Sequence, residues 1–179
     1  MGSTAARHLS NLGGIDEIVL ADKNLAAVQR VVAAIAAPRS SVLPREVDLL
    51  DPTVMRPLLE STEIVLNCAG PFFRLAVPAL LDAIATGTTY VDICDDPEPT
   101  AQMLALHETA RSAGVCAVIG MGASPGLSNL LAVRAAKQPD TVEDCFTAWP
   151  LDVRRPGQTT APVEETPTVD GRPSAAEST

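Results

Sequence analysis

Residues Glu63–Asp96 read EIVLNCAGPFFRLAVPALLDAIATGTTYVDICDD, and this stretch decides the fold. The apolar run Ile64–Cys68 passes straight into Ala69-Gly70-Pro71. Helical spacing follows from Leu75 to Ala85 and stops at Gly87, and a second apolar run, Tyr90–Cys94, ends on acids. Strands that are buried on both faces show such unbroken apolar runs, and ligands of these sheets lie beyond the strands' carboxyl ends. Asn67–Pro71 and Asp92–Asp96 therefore belong to a ligand-facing rim. Gly70 lets backbone approach a ligand with no side chain between, and Pro71 stiffens the turn.

Working outward, helical and strand patterns alternate with short breaks. Met1–Leu12 reads as a helix ending at Gly13-Gly14, Glu17–Ala21 as a strand, and Asn24 as the cap of a helix whose apolar face carries Leu25, Val28, Val31, Val32 and Ile35. Ser41–Val47 is a further strand, and Pro52 opens a helix to about Glu60. Beyond the central stretch come a helix over Glu98–Ser112, a strand over Val115–Gly120, a helix from Ser124 to about Lys137 and a strand over Val142–Ala148. Strict alternation of this kind implies a doubly wound α/β fold, a mostly parallel sheet with helices on both faces. Residues 1–137 form its nucleotide-binding domain, and 151–179 make a tail. The tail carries Pro156, Pro162, Pro167 and Pro173 among Thr, Ser and Glu, and no apolar face that could offset its ordering entropy, so disorder is expected there.

Composition sets outer bounds. In 179 residues, 46% apolar but only 3% aromatic, one core must be built from Ala, Val, Leu and Ile. A net charge of −9 with dispersed acids argues against a nucleic-acid or anionic-membrane partner. No apolar run is long enough to span a bilayer and no signal-peptide layout opens the chain, so a cytoplasmic location is expected. Cys68, Cys94, Cys116 and Cys145 are irregularly spaced, which suggests neither a zinc site nor a disulfide framework.

Two motifs together, Asn67-Cys68-Ala69-Gly70-Pro71 and the later GMGASPGLSNLLA at Gly120–Ala132, resemble the saccharopine dehydrogenase family of NAD(P)-dependent oxidoreductases. The resemblance runs from Gly2 to about Trp149. It implies a Rossmann-type domain, NAD or NADP as cofactor, an amino-acid-derived small-molecule substrate, a second α+β domain toward which residues 138–150 lead, and a homodimer in an intact form. It also implies that this chain begins after the first strand of the sheet, so that the central strand of the order 3-2-1-4-5-6 is lacking, and that the substrate domain is truncated.

Spacing supplies an independent check. A GxGxxG loop joins first strand to first helix, and an acid about twenty residues on holds the ribose hydroxyls. Gly2 can be the last glycine of such a loop, and Asp22 follows it by 20 positions at a strand end. An Asp there also serves as an ordinary helix cap, and the residues alone leave both roles open. Lys23 beside it suits the extra phosphate of NADP, so the choice of cofactor stays open too. Asp48 closes the next strand, where the resemblance puts an adenine contact and where a turn acid is equally at home. The cofactor-binding set is then Gly2, Asp22, Lys23, Asp48, Asn67, Cys68, Ala69, Gly70 and Pro71. Asp92 and Asp95 stand at a strand end where substrate-facing groups belong, although acids before Pro97 also start helices, and Gly126 opens a helix whose amides can face a nicotinamide or a carboxylate. His8 and His107 fall in helices away from strand ends, and Arg74 is the one arginine near the crevice. No catalytic residue is assignable.

The function expected is an NAD(P)-dependent oxidoreductase acting on a carbon–nitrogen bond of an amino-acid derivative, in an incomplete chain. The competing class is a non-catalytic dinucleotide-binding remnant or gene fragment.

Overall fold

The computed structural model describes residues 1–138 and 140–147. Its regular elements are α1 (Gly2–Leu9), β1 (Glu17–Asp22), α2 (Leu25–Ala33), β2 (Ser41–Glu46), α3 (Pro52–Glu60) and β3 (Ile64–Asn67). They continue with α4 (Phe72–Thr86), β4 (Thr89–Asp92), α5 (Pro97–Ala105), α6 (His107–Ser112), β5 (Ala117–Val118) and α7 (Leu127–Ala136). Every strand pairing among them is parallel. Parallel neighbours require a crossover, and a helix supplies it each time.

The strands fall into two hydrogen-bonded groups, β1 with β2 and β3-β4-β5. β1 pairs with β2 from Glu17↔Ser41 to Asp22↔Glu46, and β3 pairs with β4 from Ile64↔Thr89 to Asn67↔Asp92. Pro44 sits within β2 without harm because that strand has one partner, leaving its other side free of ladder bonds among the described residues. In chain order the break between the two groups falls after β2. Ile64 is 61% and Leu66 38% exposed on β3, which pairs only with β4 among the described residues, although both belong to the type of apolar run that a sheet interior hides.

Helix α1 bridges the two groups. Its amino end lies beside β3, where a Cβ added at Gly2 would stand 3.5 Å from Cβ of Cys68. At its other end the Ser10 carbonyl accepts from the amides of Arg39 (2.7 Å) and Ser40 (3.2 Å), and the Ser40 hydroxyl donates to the Ile15 carbonyl at 2.7 Å. The helix therefore runs from the carboxyl end of β3 to the amino ends of β1 and β2, so both groups present their carboxyl ends on one side.

The core gathers around α4. Its alanines Ala76, Ala79 and Ala83, all essentially inaccessible, let the helix approach the sheet closely, and Leu80 and Ile84 fill between. Met55 and Leu59 of α3, Phe72 of α4, Tyr90 of β4, Cys94, Met103, Ala110 and Val115 complete the cluster. An aliphatic core with few rings is what a 3% aromatic content demands. Arg56 Nε donates to Asp82 Oδ1 at 2.7 Å and links α3 to α4. Gly87 ends α4 at φ 75°, the left-handed conformation that glycine adopts without strain.

Helix starts follow their capping residues. The Asn24 side chain accepts from the Ala27 amide at 3.0 Å, as its position before an apolar helix predicts. Asn24→Ala should lower the unfolding free energy by about 1 kcal/mol. Urea unfolding monitored by circular dichroism measures this, and an unchanged midpoint would show that the cap contributes nothing. Asp51 caps α3, and the hydroxyl and amide of Thr53 hold its carboxyl below the usual range.

Several boundaries differ from the sequence reading: α1 ends at Leu9 and not Leu12, α4 starts at Phe72 and not Leu75, and four further differences lie after β4. The helix expected over Glu98–Ser112 is two helices, stepping at Leu106 (ψ 5°), where neither Gly nor Pro marks the step in the sequence. Of the strand expected over Val115–Gly120 only Ala117–Val118 is regular, with the Cys116 carbonyl accepting the Tyr90 amide at 2.9 Å; past Val118, Gly120 adopts φ 71° and its amide turns to the Asp92 side chain. The helix expected from Ser124 begins at Leu127, since Gly126 holds φ 113°. Residues 142–147 of the strand expected over Val142–Ala148 are irregular, with Val142 45% and Phe146 88% exposed, and they pair with no strand among the described residues. Ala148 and the tail expected over 151–179 lie outside the described residues.

Candidate dinucleotide site

The carboxyl ends of the strands place the candidate residues on one rim. Asp22 ends β1, is exposed, and accepts the Asn24 amide on Oδ1 at 2.9 Å. That bond fixes the carboxylate at the strand end. Lys23 follows it, also exposed. The Val47 amide donates to the Asp22 carbonyl at 3.1 Å, which sets Asp48 at the same edge, where its Oδ1 accepts the Leu50 amide at 3.0 Å. Asp22 and Asp48 thus come together, beside Glu46, at an acidic corner of the rim.

Gly2 and Asn67–Pro71 come together as a second group. The amino end of α1 abuts Cys68, so the helix dipole and its first amides lie beside the loop that leaves β3. Ala69, Gly70 and Pro71 are exposed, and a side chain added at Gly70 would meet nothing within 4 Å. Open backbone beside a helix amino end is the surface that a pyrophosphate-containing ligand needs. Cys68 is half-buried, and burial pushes its thiol up, so it remains a neutral thiol.

Asn67 and Asp92 do not reach the rim surface. Asn67 is 4% exposed: its Oδ1 accepts the Ala69 amide at 2.9 Å, and its Nδ2 donates to the Tyr90 hydroxyl at 3.1 Å. The Tyr90 hydroxyl donates onward to Asp92 Oδ2 at 3.0 Å. Asp92 is wholly buried, and its Oδ1 accepts the amides of Gly120 at 2.7 Å and Cys94 at 3.1 Å. Both carboxylate oxygens are engaged within the protein. Burial drives the Tyr90 hydroxyl far above its ordinary range, so it stays a donor.

Asp95 is exposed on the loop after β4, and the neighbouring Asp96 reaches back so that Oδ2 accepts the Phe73 amide in the first turn of α4 at 3.0 Å. Gly126 is buried where α7 starts, and a Cβ there would lie 2.5 Å from the Gly122 carbonyl oxygen. His8 lies in α1 and His107 in α6, both exposed, and Arg74 is exposed at the start of α4. Among the described residues no group of His, Cys, Asp and Glu is arranged to hold a metal ion.

The sequence reading missed Tyr90 and the amide of Gly120. A signal for the first was present: Tyr90 and Asp92 are two apart in a strand, hence on one face, and a buried tyrosine hydroxyl seeks an acceptor. Gly120 joins only through tertiary folding.

A parallel α/β sheet with helix crossovers, a helix amino end beside an open Ala-Gly-Pro strand end and an acid closing the neighbouring strand defines a Rossmann-type dinucleotide-binding domain. The family model "Saccharopine dehydrogenase NADP binding domain" matches residues 1–118, and the chain belongs to that family. An Arabidopsis thaliana protein, provisionally named a mitochondrial saccharopine dehydrogenase-like oxidoreductase, is 35% identical over 86 residues, covering 48% of this chain and 19% of the relative. The mouse saccharopine dehydrogenase-like oxidoreductase is 33% identical over 69 residues, 38% of this chain and 16% of its own. A Mycobacterium tuberculosis protein provisionally named a trans-acting enoyl reductase is 24% identical over 123 residues, 68% of this chain and 29% of its own. In structure, the apo, histidine-tagged saccharopine dehydrogenase (L-Glu forming) of Saccharomyces cerevisiae aligns with a TM-score of 0.63 at 18% identity, over 76% of this chain and 28% of that one. That likeness concerns the fold. The chain spans less than a third of the length of each of these relatives.

Proposed function

We propose that this chain is the nicotinamide-dinucleotide-binding part of an oxidoreductase that acts on a carbon–nitrogen bond of an amino-acid derivative. The observation that carries the reading is the packing of Gly2 on Cys68, which sets the amino end of α1 against the open Ala69-Gly70-Pro71 backbone. In this reading the α1 amides and the Gly70 backbone hold the pyrophosphate, Asp22 accepts from a ribose hydroxyl, and Asp48 stands near the adenine. Asp95 and Gly126 face the substrate side, and Asn67 and Asp92 act from beneath. The dinucleotide, when bound, supplies the hydride chemistry; the chain orients it and shapes the electrostatics around it. Asp22 favours a free ribose diol, whereas Lys23 can neutralise a 2′-phosphate.

Titration of the 179-residue chain with NADH and NADPH, followed by calorimetry, tests the reading and decides between the two cofactors. Asp22→Ala should weaken NADH binding by about 1 to 3 kcal/mol, because ribose hydroxyls lose a charged acceptor. Absence of binding by both dinucleotides would sink the proposal. The carbon–nitrogen specificity is read separately, from NAD(P)H-linked turnover of saccharopine, or of an imine formed from a 2-oxo acid and an amine, by the protein in its longest expressed form.

The mycobacterial protein, aligned over 68% of this chain, favours a second reading: reduction of a carbon–carbon double bond by the same dinucleotide face. Turnover of an enoyl thioester in place of the imine would select it. A purely binding role, without turnover of either substrate, is the third outcome of the same assay. No helix among the described residues is long and apolar enough to cross a membrane. The expected cytoplasmic location stays part of the proposal alongside a relative named mitochondrial; a small-molecule substrate, no nucleic-acid partner and a homodimer complete it.

A further inference from the structure

The chain of side chains beneath the rim links backbone segments that are far apart in sequence. At one end Asn67 Oδ1 fixes the Ala69 amide, and so the turn that exposes Gly70. At the other, Asp92 Oδ1 fixes the Gly120 amide, while the Asp92 carbonyl accepts the Met121 amide at 2.8 Å. Between them stands one hydroxyl, that of Tyr90, accepting from Asn67 and donating to Asp92. All three side chains are at least nine-tenths buried, so water competes little for these bonds.

Such an arrangement has a consequence for the loops it holds. The loop after β5 carries Gly120, Gly122 and Gly126 and packs on the loop after β4, with a Cβ at Gly120 reaching 3.3 Å from the Cys94 carbonyl oxygen. Movement of Gly120 away from the sheet would strip Asp92 of an amide donor. Asp92 would then keep only Cys94 and Tyr90 as donors, and the Tyr90 hydroxyl also accepts from Asn67. The exposed Ala69 backbone is thereby tied to the buried Gly120 backbone through a dry interior.

We propose that Tyr90 and Asp92 are positioning residues that couple the Gly120–Gly126 loop to the Ala69-Gly70-Pro71 turn, so that the two sides of the crevice adopt their binding geometry together. This inference rests on the dinucleotide reading for its functional consequence, but the coupling itself is measurable without ligand. Preorganised support beneath a binding surface commonly sets affinity by an order of magnitude. Tyr90→Phe keeps the ring and removes only the central hydroxyl.

The test has two readouts on wild type and Tyr90→Phe. Hydrogen exchange is expected to accelerate about tenfold at both Ala69 and Gly120 relative to the α4 amides, which report global opening. NADH or NADPH affinity is expected to fall about tenfold at a temperature where both proteins are folded. Equal acceleration at Ala69, Gly120 and α4 would overturn the coupling, because a merely structural role raises all exchange together. Unchanged affinity in a wild type that binds dinucleotide would overturn the functional consequence. A wild type that binds neither dinucleotide defeats the dinucleotide reading, and exchange still decides the coupling. If Tyr90→Phe does not fold, Asp92→Asn replaces it: the amide oxygen retains Gly120 and Cys94, while its NH2 faces the Tyr90 hydroxyl. Faster exchange at Ala69, three hydrogen bonds away, is then the expected result, and an unchanged Ala69 rate overturns the proposal.

Discussion

Asp92→Ala is expected to lower the unfolding free energy by about 3 to 5 kcal/mol, a large share of the roughly 5 to 15 kcal/mol that a domain commonly possesses. Three donors lose their acceptor at once: the amides of Gly120 and Cys94 and the hydroxyl of Tyr90. Each is held in a site where Asp92 itself is wholly buried, and a buried donor without a partner costs about 1 to 3 kcal/mol. Tyr90 recovers part of its loss, since the Ala76 carbonyl lies 3.4 Å from its hydroxyl. The backbone amides have no such alternative among the described residues. Urea unfolding of wild type and variant gives the difference directly. A loss below about 1 kcal/mol would mean that solvent or a relaxed loop satisfies these groups and that the network is not a structural keystone.

Gly126→Ala is the second large effect, about 3 kcal/mol or more. At φ 113° and ψ −97° the residue occupies backbone space that side chains rarely enter. The added methyl carbon would also stand 2.5 Å from the Gly122 carbonyl oxygen, 2.7 Å from that of Gly120 and 2.7 Å from the Gly122 nitrogen. Every one of these atoms is backbone, so no rotamer change relieves the contact. The loop must open, which breaks the Gly122↔Gly126 bridge and pulls on the Gly120 amide. Thermal unfolding should show a lowered midpoint, and the chemical shifts of Gly120–Gly122 should move farther than those of β1 and β2. A variant with wild-type stability and unshifted loop resonances would show that this tight turn is dispensable.

These two residues also separate what could be read in advance from what could not. Asp92 was legible as an acid at the carboxyl end of a strand, because an apolar run ending on a carboxylate marks that position. Its role was not: the acceptor of the Gly120 amide is 28 residues away in sequence, and nothing local to either residue announces the bond. Gly126 was legible as a helix opener after a proline. The crowding that makes it obligatory comes from carbonyls of the preceding loop, whose path depends on how that loop sits on β4.

Periodicity determined most of the architecture. Apolar runs of strand length, alternating with helical spacing, force parallel pairing through helix crossovers, and β1–β2 and β3-β4-β5 follow in that order. The Asn24 cap fixed the start of α2, since an Asx side chain acts on amides within three positions of itself, and Pro52 marked the start of α3. The spacing between Gly2 and Asp22 and the Asn67–Pro71 motif placed the candidate site. Only the tertiary structure decided which of those residues face outward. Asp22, Asp48 and the Ala69-Gly70-Pro71 backbone remain exposed, whereas Asn67 and Asp92 are drawn beneath the rim by Tyr90. The physical reason is that a strand's sequence specifies which side chains share a face. Whether that face meets solvent or a partner across the sheet depends on the neighbour, and hydrogen bonds between strands and loops distant in sequence exist only once the chain has packed.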